Sequence, residues 1–394
     1  MDKYFKAIDR DKWVRNPQWP AIPADDGTGT KAYGVFAVFE DEFNGVAVTM
    51  TSDSTVDWGD GTSDTYTSTS DISHIYDYAT ISAPVLTYHD GRNYKPILVE
   101  FTSPVTNIHR LWVDRSTSDF EYNVVNWLDI VSYLGDGSTD FSEGANSYLM
   151  SNVKKSIYLE RFKSKHPQSS GSANRLFSKC INLQEVDVPD DFFNYSNNIS
   201  NTFQECGKKL KIKAHINNSV DTSIVSLFAN SRDIELRDIT LNGDTNLSAI
   251  GIHSIVNGIG NFTALLNTNG NYMFGSAVTT GISEIGIIDM PLLENCDNMF
   301  RGCGVPEVVF TDCSNVNSTT NMFLDVITLV KLIMPGLTVG VSINGNQMTA
   351  DALDDFMTSV GTADGSQTLD LRNNPGSATC DVSIATNKNF TVLT

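Results

Sequence analysis

Arg175-Leu176-Phe177-Ser178-Lys179-Cys180-Ile181-Asn182-Leu183-Gln184-Glu185-Val186-Asp187-Val188 is the stretch on which the fold turns. It sets an aromatic, a cysteine three residues on, a leucine three beyond that, and then an alternating Val-x-Val pair. Parts of the phrase return as Thr202-Phe203-Gln204-Glu205-Cys206, Ser226-Leu227-Phe228, Tyr272-Met273-Phe274, Asn298-Met299-Phe300-Arg301-Gly302-Cys303 and Asn321-Met322-Phe323. Successive phenylalanines (177, 203, 228, 274, 300, 323) are separated by 26, 25, 46, 26 and 23 residues. Since 46 is twice 23, one unit near Ile250 to Ile255 has lost its marker. A period of this size belongs to stacked repeats: one unit cannot bury the apolar face of its short strand alone, so neighbours share a continuous core. The candidate core residues are Phe177, Cys180, Leu183, Phe203, Cys206, Phe300, Cys303 and Phe323. Alternating strand pairs go with them: Val186 and Val188, Ile285 and Ile287, Val308 and Phe310, Leu332 and Met334.

The Phe-x-x-Cys-x-x-Leu-x-x-Val-x-Val phrasing resembles the cysteine- and asparagine-flavoured repeats of BspA-like surface proteins and of related phage virion proteins. The repeating stretch, Asn174 to Met334, is about 40% of the chain. The resemblance implies a leucine-rich-repeat solenoid, which we assign to residues 105–348 with an atypical N-terminal cap.

Composition narrows the functional classes. The chain has 394 residues and a formal charge of −20, which argues against a phosphate-binding surface and hence against nucleic acid as a partner. Met1 to Arg10 is charged where a secretory leader needs an apolar run, so no signal is expected there. The most apolar window, Val326 to Ile343, is interrupted by Lys331, Pro335 and Gly336, which argues against a membrane span. The six cysteines form no Cys-x-x-Cys pair, and Cys180, Cys206 and Cys303 share one position of the repeat, as buried thiols of a ladder would.

All five tryptophans (Trp13, Trp19, Trp58, Trp112, Trp127) lie in the first third. Residues 1–32 combine Trp13 and Trp19 with prolines and the run Asp25-Asp26-Gly27-Thr28-Gly29-Thr30. Two readings stand for these tryptophans: anchors of an arm that docks onto a larger body, or a cover for the adjoining domain. From Ala32 to about Pro104 the pattern is all-β, with Gly34 to Phe39 and Val46 to Met50 as strands. Val56-Asp57-Trp58-Gly59-Asp60-Gly61-Thr62-Ser63, followed by Ser73-His74-Ile75-Tyr76, resembles the PKD family, which implies an immunoglobulin-like sandwich over 33–104. In that turn Gly59 and Gly61 supply positive φ and Asp60 bonds back to the backbone. Asp53, Asp57, Asp60 and Asp64 raise calcium as a candidate cofactor, yet their spacing is not that of an EF-hand, and turn-stabilising carboxylates explain them as well.

Between 105 and 165, Val105, Ile108, Leu111 and Val113 suit the opening of the solenoid, and Val124, Trp127, Leu128 and Val131 suggest a helix over Asn123 to Leu134. The C-terminal module, 349–394, opens with an amphipathic helix capped by Thr349, with apolar Leu353, Phe356, Met357 and Val360. A Leu369-x-Leu371 strand, a helical turn within Val382 to Lys388 and a last strand from Phe390 follow.

The fold class expected is therefore mainly β with short helices: an immunoglobulin-like (PKD) sandwich followed by a leucine-rich-repeat solenoid. No nucleophile elbow, zinc-protease, Walker or Rossmann motif is present, and the six histidines lack ligand spacing, so neither catalytic residues nor cofactor are expected. The two resemblances together imply a non-enzymatic structural component of a tailed-phage virion, tail-associated, with other virion proteins and a host surface glycan or protein as partners. A homo-oligomer within the particle is expected. A capsid decoration or cement protein, a BspA-like surface adhesin and a tail depolymerase are the alternatives.

Overall fold

The computed structural model describes residues 13–394, apart from 42–43, 51–52, 67–71, 105–108, 113–125, 135–138, 141–157, 166–170 and a series of short stretches between 173 and 284. It is continuous from 285 onward. The chain is mainly β, with only two short helices among the described residues, both near the C-terminus.

Lys31–Phe39 is the centre of the N-terminal part. Its sequence KAYGVFAVF is rich in small, aromatic and β-branched residues, and everything after Lys31 is buried because both faces are covered. It pairs antiparallel with Asn93–Thr102 on one side and with Trp127–Ser132 on the other. Thr55–Asp57 and then Ser63–Thr65 extend the sheet beyond Asn93–Thr102. A second sheet of Thr139–Asp140, His109–Trp112, Gly45–Met50 and Ile72–Ile75 lies against it. Val46, Val48 and Met50 of this sheet share one apolar core with Phe36, Val38, Val56 and Trp58 of the first. Leu111 therefore belongs to a strand paired with Gly45–Met50. Its companions Val105, Ile108 and Val113 lie outside the described residues.

Trp127–Ser132 is the junction of the architecture. It runs antiparallel to Lys31–Phe39 but parallel to Arg161–Ser164, where Ile130 faces Phe162 in register. The helix expected across Asn123 to Leu134 is thus a strand from Trp127, and 123–125 lie outside the described residues. All six of its residues are buried, so the two-residue alternation that marks a half-exposed strand is absent, and spaced apolar residues imitate a helix.

From Arg161 on, the strands are parallel and stack as a β-solenoid. Arg161–Ser164, Glu185–Asp187, Lys211–Ile212, Arg232–Leu236 and Ile255–Ile259 continue the first sheet. Ile216–Asn218, Ile239–Leu241, Phe262–Ala264, Ile287–Asp289, Glu307–Phe310 and Lys331–Ile333 form another, and a short third sheet runs from Gly171–Ser172 to Thr245–Asn246. The unit without its phenylalanine is present in this stack as Ile255–Ile259 and Phe262–Ala264; its turn at 247–254 lies outside the described residues. Parallel rungs of this kind stand about 4.8 Å apart, so each added coil lengthens one continuous core.

From residue 285 on one buried pattern recurs: Ile288-x-Met290-x-x-Leu293, Val308-x-Phe310-x-x-Cys313, Leu332-x-Met334-x-x-Leu337, Val341-x-Ile343-x-x-Asn346 and Leu369-x-Leu371-x-x-Asn374. Helix α1 (Ala350–Ser359) starts at Thr349, whose hydroxyl accepts from the Ala352 amide, and it buries Leu353, Phe356 and Met357. Val341–Ser342, Gln367–Asp370 and Phe390–Leu393 form a closing parallel sheet, with the short helix α2 (Ser383–Thr386) between the last two. Asn346 and Asn374 replace an apolar residue because each ties down backbone: the Asn374 amide donates to the carbonyls of Ile343 (2.8 Å) and Leu371 (3.0 Å) and accepts from the Met348 amide (3.1 Å).

Candidate functional site

Three places collect the residues singled out in the sequence, and a fourth emerges from the structure alone. The first is the turn Asp57-Trp58-Gly59-Asp60-Gly61. Trp58 is fully buried, its indole N–H donates to Asp64 (2.7 Å), and its ring stacks on His74 (5.0 Å, 11°). His74 in turn meets an Asp60 carboxylate oxygen at 2.7 Å, and the Tyr76 hydroxyl donates to the Trp58 carbonyl at 3.1 Å. Burial alone would raise the Asp60 pKa, but bonds from the Thr62 hydroxyl and amide and from His74 outweigh it and hold the carboxyl below its usual range. Gly59 has φ +77°, and a Cβ there would stand 2.2 Å from the Leu98 carbonyl oxygen, so only glycine fits. Asp57 accepts from the Gly59 amide, and Asp53 has left-handed backbone. The carboxylates considered for calcium thus bond within the turn at Asp57, Asp60 and Asp64. No group of three or more His, Cys, Asp or Glu suited to a metal stands together among the described residues.

The second place is the N-terminal segment. Trp19 is buried against Val35, Ala37 and Phe39, and its N–H donates to the Tyr94 hydroxyl (2.9 Å). Trp13 donates to Glu160 (3.2 Å) while the Arg161 guanidinium lies 4.7 Å from its ring centroid. Beneath them Asp129, fully buried, is bracketed by Arg15 (3.0 Å) and Arg161 (2.7 Å). Both tryptophans therefore lie against the chain's own sheet, at the junction where the antiparallel strands become a solenoid. Residues 1–12 lie outside the described residues.

The third is the repeat core itself. Phe177 stacks on Phe203 (5.5 Å, 15°) and Phe203 on Phe228 (5.8 Å, 19°); Phe274 stacks on Phe300 (5.3 Å) and Phe300 on Phe323 (5.5 Å, 3°). Cys180 and Leu183 are fully buried beside the first of these. The sequence carried a further signal: the residue two before the phenylalanine, Asn201, Tyr272, Asn298 or Asn321, has φ between 55° and 56°. Asparagine adopts this left-handed backbone at low cost, which lets the chain turn sharply onto the buried ring.

The fourth place had no sequence signal. An open groove of about 460 Å³ runs between the coil at 317–321 and the coil at 339–342, and reaches Gln367, Thr368, Asp370 and Leu393. Ser318, Thr320, Asn321, Ser342, Gln367 and Thr368 bring hydroxyls and amides to it. Its one carboxylate, Asp370, is held by two bonds of 2.9 Å from Arg372, which keep its pKa below the usual range. Such a groove can hold a ligand by many neutral hydrogen bonds; within it the Ser342 hydroxyl donates to an Asp370 oxygen at 3.5 Å.

The chain matches no protein-family model, no curated protein and no solved structure. No described helix is long and apolar enough to cross a membrane.

Proposed function

We propose that the protein is a non-enzymatic structural component of a tailed-phage virion, associated with the tail, and that its solenoid contributes to binding the host surface. The observation that carries this reading is the continuous core: one apolar cluster runs through the coils to Phe390, so the outer faces form a stiff, extended display of hydroxyl and amide groups. On this reading the coils are leucine-rich repeats, supported by the buried Leu-x-Leu-x-x-Asn pattern at Leu369, Leu371 and Asn374. The two-layered N-terminal part is a PKD-like immunoglobulin sandwich, supported by the network that Trp58, Asp60, His74 and Tyr76 make. Its partners are other virion proteins on one side and a host glycan or protein on the other, and it assembles as a homo-oligomer within the particle. The phage assignment rests on the resemblance of the Phe-x-x-Cys phrase to such repeats.

Cryo-electron microscopy of intact particles tests it. Density for the solenoid at the tail, outer faces exposed, is the expected result. Density spread over the head makes the chain a decoration protein, and none on the particle returns it to the cellular adhesins.

A further inference from the structure

We propose that the groove between residues 317–321 and 339–342 is a binding site for a neutral, polyhydroxylated ligand, a stretch of glycan chain; this rests on the host-surface reading above and gives it a place and a ligand class.

The argument begins with the main-chain ladder that joins one coil to the next. The amides of Gly270, Tyr272 and Phe274 donate to the carbonyls of Asn295, Asp297 and Met299. One coil on, Cys296, Asn298, Phe300 and Gly302 donate to Ser318, Thr320, Met322 and Leu324, all between 2.8 and 3.0 Å. The register Asn295 to Ser318 makes Thr319, Asn321 and Phe323 the next donors. Their amides have no acceptor among the described residues. Further along, the ladder resumes: Ile343 donates to Asp370 and Gly345 to Arg372, both at 3.0 Å. Among the described residues this run of the ladder is therefore open here, and the coils are joined by the Thr319 hydroxyl to the Gly340 carbonyl, the Leu329 amide to the Asn346 side chain and the Gln347 amide to the Leu329 carbonyl (2.9 Å).

An amide left unpaired beside an open groove is satisfied by water, and a ligand hydroxyl can replace that water at little cost. Thr319 and Asn321 thus offer main-chain donors fixed in position by the coils beneath them, which Thr320 strengthens by donating its own amide to Asp297 at 2.7 Å. Around them the hydroxyls of Thr320 and Thr368 and the side-chain amide of Asn321 both donate and accept, as sugar hydroxyls do, whereas Gln367 is held by the Gly340 amide and the Asp364 carbonyl. Val339 and Leu393 give apolar surface for the C–H faces of a sugar ring. No lysine or arginine lines the groove, and its single carboxylate is already engaged by Arg372, so a phosphate or an acidic sugar finds no countercharge. The volume lies within the range usual for small-ligand sites.

The test is calorimetric titration of the full chain with maltoheptaose, chitohexaose and linear mannan fragments, with amide exchange followed at Thr319 and Asn321. Thr320→Trp fills the groove from an exposed position, and Thr358→Trp, on the exposed side of α1, is the control. Expected are binding of at least one saccharide, loss of more than tenfold in affinity for Thr320→Trp only, and slower exchange of both amides on saturation. Saccharide binding that Thr320→Trp leaves intact overturns the groove while the host-surface reading stands. So does a chain that adsorbs to bacterial cells but takes up no saccharide. A chain that binds neither cells nor saccharide overturns both.

Discussion

Cys303 donates its thiol to the carbonyl of Phe274 at 2.6 Å, and Cys206 makes the same bond to Phe177 at 2.8 Å. Each bridge spans 29 residues, joining the end of one turn to the aromatic of the coil before it. The cysteines are thus structural, and five of the six are buried. Burial raises the pKa of Cys296 to about 12 and that of Cys313 further still, which removes the reactive thiolate near neutrality. We expect iodoacetamide at pH 8 to add at most one label to the native chain, at the part-exposed Cys380, and six after unfolding. Intact mass spectrometry reads this directly. Several labels on the native chain would mean that the stack is not closed around its thiols.

Phe300 sits between Phe274 and Phe323 in the ring stack and is 1% exposed. Phe300→Ala removes a ring from a place that neighbouring coils cannot collapse into without breaking register, so the loss should approach 3–5 kcal/mol, with Phe300→Leu costing about half as much. Urea denaturation followed by circular dichroism measures both. Equal, small effects would show that the ring stack carries little of the stability.

The repeat was legible because its physics is local and periodic. A large ring must return once per coil, and Phe177, Phe203, Phe300 and Phe323 do so where any reader can count. Turn chemistry was legible for the same reason at Trp58 to Thr62, where the Asx bonds of Asp57 to Gly59 and Asp60 to Thr62 span two residues. What escaped is what depends on distant partners. Asp129 is an ordinary acid in a strand until Arg15 arrives from 114 residues earlier and Arg161 from 32 later. Trp127 to Ser132 looked helical because a strand covered on both faces shows no alternation. The groove is a missing set of hydrogen bonds between coils, and no residue type announces an absence.

Gly59 and Gly61 both have positive φ, 77° and 94°, yet they differ in surroundings. A Cβ on Gly59 would meet the Leu98 backbone, whereas one on Gly61 meets nothing within 4 Å. Gly61→Ala should cost only the left-handed strain, about 1 kcal/mol. Gly59→Ala adds a collision between two backbones under the buried Trp58, and should cost at least twice as much. Tryptophan fluorescence during denaturation separates the two variants. Comparable losses would indicate that the turn stands off from the Asn93–Thr102 strand.

Glu160 links pH to the N-terminal segment. Burial is the main cause that raises its pKa from 4.5 to about 7, with the nearby charge of Asp129 adding to it and the Trp13 N–H working against it. His89 stands 4.0 Å from its second oxygen and is largely exposed, and the Tyr88 and Tyr94 hydroxyls also feel its charge. Because the folded pKa lies above the unfolded one, the stabilisation is complete below about pH 4.5 and is lost as pH rises toward 7. The difference is on the order of 3 kcal/mol across that window. Glu160→Gln keeps an acceptor for Trp13 and cannot ionise, so relative to wild type it should gain stability steadily from pH 4.5 to 7.5. Denaturation of both chains at several pH values in this range, read as their difference, isolates the one carboxyl from the other 46 acids. A difference that stays flat with pH would mean that Glu160 is ionised throughout and that the Trp13 contact is an ordinary surface bond.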